Sequence, residues 1–247
     1  MKKTARRYFR EYLKVAPLSL AIWRAMEAEA VGKIRYDSPI LDIGCGFGEF
    51  AGVVFDRMIE VGIDISQKDL VGAGRKRMYK NLILADAREL PFEKEKFQSI
   101  ISISTLEHIE GVDRVFVEAY RILKPGGLFV FTVPTKAINK ELMFPSVGLF
   151  HWTFKHKTIE EKEVWLSMAK RVGFKIENCR GTTTHKQVRA FELTLPLALP
   201  TQLFRKVFGR RLLYSPAFRI RLYDFLFKSL FWEREKTEAN IIVVARK

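Results

Sequence analysis

Cysteine is scarce in this chain of 247 residues, with Cys45 and Cys179 its two thiols. Two thiols cannot build a disulfide framework or a Cys-rich zinc site, which excludes a stapled secreted domain. No spaced set of ligands suggests a metal, and none is expected. Long apolar runs are also missing: nothing approaches the ~18 uncharged residues that a membrane-spanning helix needs. The basic start MKKTARRYFREYLK leads into no apolar stretch with a small-residue cleavage site, so it does not read as a secretory signal. The expected compartment is the cytoplasm. There is no internal repeat and no low-complexity segment. Acids are few, with 28 Asp and Glu against 43 Lys and Arg, a formal net charge of +15. That excess points toward phosphate, as nucleic acid, an anionic membrane surface or an anionic small molecule.

What is present is globular. Apolar residues make up 48% and charged residues 29%, enough to build a core and too apolar for a disordered chain. The length suggests one large domain, or one domain with an appendage. Residues 1–37 read as a helical cap, with amphipathic helix over 1–33. From Ser38 short apolar runs alternate with helical spacing. Strands are expected at 39–43, 61–64, 82–84, 97–103, 128–133, 174–178 and 241–245, and helices at 49–59, 67–79, 113–123 and 158–172. Strands alternating with helices imply a parallel sheet covered on both faces. The expected fold class is therefore α/β: a doubly wound, seven-stranded, mostly parallel sheet ending in an antiparallel hairpin. Residues 38–180 and 236–247 form this domain, and 181–235 read as an inserted helical subdomain.

The chemistry gathers at strand ends. Asp42 precedes the turn Gly44-Cys45-Gly46-Phe47-Gly48, Asp64 closes the second strand and Asp86 follows the third. In an open parallel sheet, ligands bind outside the carboxyl ends of the strands, at the switch point. Asp64 follows Gly44 by 64 − 44 = 20 residues, a spacing at which an acid accepts from ribose hydroxyls. The turn is G-x-G-x-G rather than the G-x-G-x-x-G of dinucleotide folds, and the acids around it would repel a pyrophosphate. They suit a ligand with a cationic amino acid end.

ILDIGCGFGEF (40–50), VGIDIS (61–66), ADARELPF (85–92), FQSIISISTLEHI (97–109) and RILKPGGLFVFTVP (121–134) together resemble the ordered motifs of class I S-adenosylmethionine-dependent methyltransferases. The resemblance covers about residues 38–180 plus the final strand. It implies S-adenosyl-L-methionine as cofactor, with Gly44, Cys45 and Gly46 along the methionine moiety and Asp42 holding its amino group. It also implies Asp64 and Ile65 at the ribose, Asp86 at the adenine amino group, the Ala87 amide near a ring nitrogen, and Ser102 at the methionine end. Each has a plainer alternative: Asp42 as a helix cap, Ser102 as a buried hydroxyl bonded to backbone, Cys45 as small filler rather than nucleophile.

The acceptor is less legible. Methyl transfer from a sulfonium is an in-line displacement that needs mainly alignment and a dry site, so no motif has to carry a base. The segment after the fourth strand lacks the Asn/Asp-Pro-Pro-Tyr/Phe of exocyclic-amine nucleic-acid methyltransferases and the Pro-Cys of pyrimidine C5 enzymes. His108 is either a cleft base or a local hydrogen bonder. His151 and Trp152 are candidates for the acceptor pocket. Residues 181–235 carry ten basic residues against four acids, interleaved with aromatics and leucines. That mixture suits a membrane-interface helix or a lid over a long apolar substrate, and equally a helical subdomain with a solvated charged face. The expected activity is methyl transfer to a small, hydrophobic or lipid-like acceptor, with an anionic membrane surface as the candidate partner. An RNA methyltransferase and a non-catalytic cofactor-binding partner protein are the alternatives.

Overall fold

The computed structural model describes residues 4–142, 156–198, 217–233 and 235–247. Five strands run parallel: β1 (Ile40–Ile43), β2 (Ile59–Asp64), β3 (Tyr79–Leu84), β4 (Phe97–Ile103) and β5 (Leu123–Pro134). The last strand, β7 (Thr237–Arg246), inserts antiparallel between β5 and β6 (Lys175–Thr183). The order is β3-β2-β1-β4-β5-β7-β6, the expected seven-stranded α/β sheet. After β3 the chain crosses to the other side of β1, so the winding reverses between β1 and β4. A crevice opens at their carboxyl ends for that reason.

Successive strand side chains face opposite ways, and the two layers of core follow from this alternation. Ile40, Ile101, Val130 and Ile242 face one layer, and Leu41, Ile100, Phe129 and Ile241 the other. The first layer is covered by α1 (Ala5–Tyr12) and α2 (Leu18–Val31). The second is covered by α5 (Asp113–Ile122) and α7 (Lys162–Arg171), with Phe116 against Phe129 and Phe131 and Trp165 against Phe116. Here α5 presents Val115, Phe116, Ala119 and Ile122 on one stripe, the 3.6-residue period of a surface helix.

Several boundaries differ from expectation for tertiary reasons. The helices α3 (Glu49–Val54) and α4 (Gln67–Gly74) stop early, because Ile59 and Tyr79 are already paired in β2 and β3. Lys124-Pro125-Gly126-Gly127, expected as a loop, lies within β5. Leu123 pairs with Phe97, and the Gly126 N–H donates to the Lys247 carbonyl. Strand β6 runs five residues beyond Asn178, to Thr183, because β7 continues beside it to Thr237. The stretch from Gly181, expected as a helical insertion, thus begins with strand. It continues as α8 (His185–Thr194), whose Thr184 and Gln187 form a capping box, and resumes as α9 (Ala217–Phe227). The short helix α6 (Ile138–Glu141) follows β5. The first 33 residues are not uniformly amphipathic: α1 has one apolar stripe, whereas α2 is buried along most of its length between α1, α8 and the sheet.

Candidate active site

A cleft of about 740 Å³ lies at the carboxyl ends of β1, β2 and β4, roofed by the N-terminal helices. Its floor is the turn after β1. Gly44 has φ +75°, and a Cβ there would sit 2.2 Å from Thr105 Cγ2, so only glycine fits. Gly46 has φ +52°, and a Cβ would meet nothing within 4 Å. The first glycine serves packing, and the second leaves room for a ligand to approach the backbone.

The three acids stand around this turn. The Asp42 carboxylate is buried beneath the glycines and accepts from the Tyr79 hydroxyl at 2.6 Å. Burial pushes its carboxyl up to about 7 and Asp64 adds repulsion, while the Tyr79 hydroxyl and the Arg24 guanidinium pull it down. Asp64 accepts from the Gly46 and Ser66 N–H groups, both at 2.9 Å, which aims the carboxylate over the turn with lone pairs to spare. Asp86 lines the cleft but is gripped by Arg88, whose guanidinium approaches to 2.7 Å and holds the carboxyl below its usual range. A ligand amino group there shares Asp86 with Arg88, which also lines the cleft. Cys45, Ile65 and Ala87 line the cleft as well. Burial raises the Cys45 thiol, with Asp42 and Asp64 adding to the effect, which suits filler and not a nucleophile.

Ser102 is not part of the cleft surface. It sits within β4, fully buried, and its hydroxyl donates to the Ile43 carbonyl at 3.2 Å. The residues lining the cleft after β4 are Ser104 and Thr105, turned there by a left-handed Ser104 at φ +46°. His108 lines the cleft, while His151 and Trp152 lie outside the described residues.

Several cleft residues carried no sequence motif. Tyr12, Leu20 and Arg24 come from the N-terminal helices and Ala16 from the turn between them, Lys157 from the segment before α7, and Leu195 and Ala198 from the turn after α8. Arg24 is held by Glu27 at 2.8 Å. The other Glu27 oxygen accepts from the Ser104 and Thr132 hydroxyls and from the Asn240 amide at 2.6, 2.9 and 3.1 Å. Glu27 thus ties α2 to the turn after β4, to β5 and to β7. The i, i+3 spacing of Arg24 and Glu27 was the one available clue. Glu107 is buried beside the cleft, and burial raises its carboxyl to about 8.

The arrangement fits a nucleoside linked to an amino acid. It offers an acid over a glycine turn, a second acid behind it and a guanidinium at the far wall. Tyr12 is 1% exposed and lines the cleft, and its hydroxyl has no hydrogen-bond partner among the described residues. A polar ligand atom or an ordered water in the cleft would satisfy a buried hydroxyl of this kind. Fold and cleft together define an open α/β protein whose cleft at the switch point suits a nucleoside-type ligand.

Comparison with known proteins agrees. Residues 41–131 match the family model described as a methyltransferase domain. The chain is 30% identical over 141 residues to demethylmenaquinone methyltransferase of Symbiobacterium thermophilum, covering 51% of this chain and 55% of that protein. It is 31% identical over 120 residues to the ubiquinone/menaquinone biosynthesis C-methyltransferase UbiE of Brucella canis, covering 44% and 45% respectively. The chain thus spans about half the length of these curated relatives. The crystal structure of a Thermotoga maritima S-adenosylmethionine-dependent methyltransferase, possibly acting on histamine nitrogen, shares the fold at TM-score 0.62 and 18% identity. That alignment covers 93% of this chain and 91% of that one. Residues 41–131 are thus those of a methyltransferase domain, and the chain resembles class I S-adenosylmethionine-dependent methyltransferases in sequence over that stretch and in fold.

Proposed function

We propose that the protein transfers a methyl group from S-adenosylmethionine to a small, hydrophobic or lipid-like acceptor, and that it works at an anionic membrane surface. One observation carries this reading: the cleft is polar at the glycine turn and apolar where α2 and the turn after α8 face it. Ala16, Leu20, Leu195 and Ala198 form that apolar wall. The names of the two quinone-biosynthesis relatives point the same way.

When bound, the cofactor supplies an electrophilic methyl on a sulfonium. The work left to this chain is holding and drying. Asp64 would take the ribose hydroxyls, Asp42 the amino group, and Arg24 with Tyr12 the far wall. The apolar wall would hold the acceptor away from water. The membrane component rests on α9. One face packs Ile220, Tyr223 and Phe227 on the core, and Asp224 docks on Arg6 at 2.7 and 2.8 Å. The other face leaves Phe218 and Phe225 exposed, with Trp232 exposed just beyond the helix and Arg221 and Lys228 nearby. Leu193 and Leu197, beside the cleft-lining Leu195, are exposed too. Apolar groups beside cations suit an anionic interface. No helix among the described residues is long and apolar enough to cross a membrane.

The test is mass spectrometry after incubating the protein with methyl-labelled cofactor and three separate fractions: prenylated quinols and lipids, water-soluble metabolites, and RNA. Label in the lipid fraction is the expected outcome. Label in RNA alone would overturn the acceptor class.

A further inference from the structure

Glu107, His108 and His156 bring a carboxylate oxygen and two imidazole nitrogens within 4.8 Å of one another at the cleft mouth. Backbone contacts create the juxtaposition. The N–H groups of Lys157 and Thr158 donate to the Glu107 carbonyl at 2.8 and 3.0 Å, and the Thr158 hydroxyl donates to the Ile109 carbonyl at 3.1 Å. Residues 156–158 are thereby laced to the turn 106–109. The two imidazoles stack with centroids 5.2 Å apart and 29° between planes, and Glu107 Oε1 lies 3.9 Å from His108 Nε2. A second, independent observation concerns Glu107. It is 2% exposed, and its Oε2 has no hydrogen-bond partner among the described residues. A buried carboxyl stays protonated unless a paired charge, a hydrogen bond or a metal ion stabilises its ionised form.

We propose that Glu107, His108 and His156 form a binding site for a borderline divalent cation, with Zn²⁺ as the reference ion, opening on the acceptor end of the cleft. Two imidazoles and one carboxylate suit Zn²⁺, Fe²⁺, Co²⁺ or Ni²⁺ better than Mg²⁺ or Ca²⁺, which favour oxygen. Zinc holds such ligand atoms at about 2.0–2.2 Å, so their mutual separation is at most ~4.4 Å. The present spacing, within 4.8 Å, lies just outside that limit, so binding requires the side chains to rotate toward one another. Three protein ligands leave a position for water or for an oxygen of the acceptor. That position faces the cleft, because His108 and Lys157 both line it. The spacing of 156 − 108 = 48 residues hides the group from any reading of sequence motifs.

The test uses the full, tag-free chain stripped with a chelator, titrated with Zn²⁺ by calorimetry and with Co²⁺ by visible absorption. One equivalent is expected to bind, and Co²⁺ is expected to develop ligand-field bands. Losing an outer partner of a metal site costs about 10–100-fold in affinity, so His156→Ala and Glu107→Gln are each expected to lose at least that much. His185→Ala, whose ring pairs with Glu141 instead, is expected to bind as wild type. His156 is half-buried, so its alanine variant remains informative if Glu107→Gln does not fold. Absence of stoichiometric binding by the wild-type chain, or unchanged affinity in a folded His156→Ala variant, would overturn the site. The reading as a methyltransferase is checked separately on the same samples by S-adenosylhomocysteine binding.

Discussion

Asp42 combines burial, a phenol partner and a position under the glycine turn, and its chemistry depends on pH. Its carboxyl sits at about 7 in the folded protein, against 3.8 ordinarily. Between those values the native state holds a proton that the unfolded chain has released. Its contribution to stability therefore falls as pH rises through about 4 to 7 and is level above, by about 1.4 kcal/mol per unit. Asp42→Asn keeps an acceptor for Tyr79 and removes the titration. Urea melts from pH 5 to 8 are expected to show the variant gaining on the wild type as pH rises. A cationic amino group placed beside Asp42 favours the ionised form, so S-adenosylhomocysteine affinity is expected to rise between pH 6 and 8. Calorimetry showing the same pH profile in Asp42→Asn would remove that contact. At the turn itself the two glycines separate folding from binding. Gly44→Ala drives a methyl into Thr105 and is expected to cost at least ~2 kcal/mol of stability. Gly46→Ala adds a methyl in open space at a left-handed φ, and about 1–2 kcal/mol is expected. Its main effect should be on cofactor affinity, read by calorimetry on the folded variant. Asp64→Ala is expected to weaken that affinity by about 1–3 kcal/mol, since the ribose donors lose a charged acceptor.

Among the elements, α2 does most to join fold and cleft. Glu27 receives Arg24 on one oxygen and three groups, from the turn after β4, from β5 and from β7, on the other, with no exposure to water. Breaking a buried ionic network by removing one charge costs about 3–5 kcal/mol, because the partner charge is left uncompensated. Glu27→Gln also turns an amide N–H₂ toward donors. A loss of that order in urea denaturation is expected, together with weaker cofactor binding as Arg24 loses its anchor. A loss below ~1 kcal/mol would show that water replaces the carboxylate.

For the whole molecule, the question is where the +15 charge acts. Part of it is internal: Arg6 docks α9 through Asp224, and Arg121 binds Glu118 and the Leu90 and Phe92 carbonyls. The outer face of α9 is apolar as well as the inner one, a pattern a lone soluble helix does not need. Sedimentation with vesicles rich in anionic lipid is expected to pull the protein down, and neutral vesicles to leave it in solution. Phe218→Ser with Phe225→Ser is expected to release it while leaving the melting curve near wild type, because both rings are exposed. RNA competing fully with anionic vesicles for the wild type, with the double variant unaffected, would assign the surface to nucleic acid.

The alternation of strand and helix, the glycine turn and the three acids were readable because they are local. Periodicity, turn chemistry and a 20-residue spacing lie within single segments, and β4 was placed at Phe97–Ile103 to the residue. Ser102 was misread because motif position does not say which way a side chain points. Inside β4 it faces the Ile43 carbonyl, and only the left-handed Ser104 turns the chain toward the cleft. The Pro125-Gly126-Gly127 stretch reads as a loop until Phe97 and Lys247 arrive to pair its flanks. Glu27 sits among groups up to 213 residues away, and Glu107 meets His156 only through the backbone bonds of Lys157 and Thr158. The aromatics and leucines of 181–235 marked that segment as apolar but could not separate the core face of α9 from its bare one, because both are built from the same residue types. Contacts between distant segments made those choices, since burial and pairing are properties of partners and not of a residue alone.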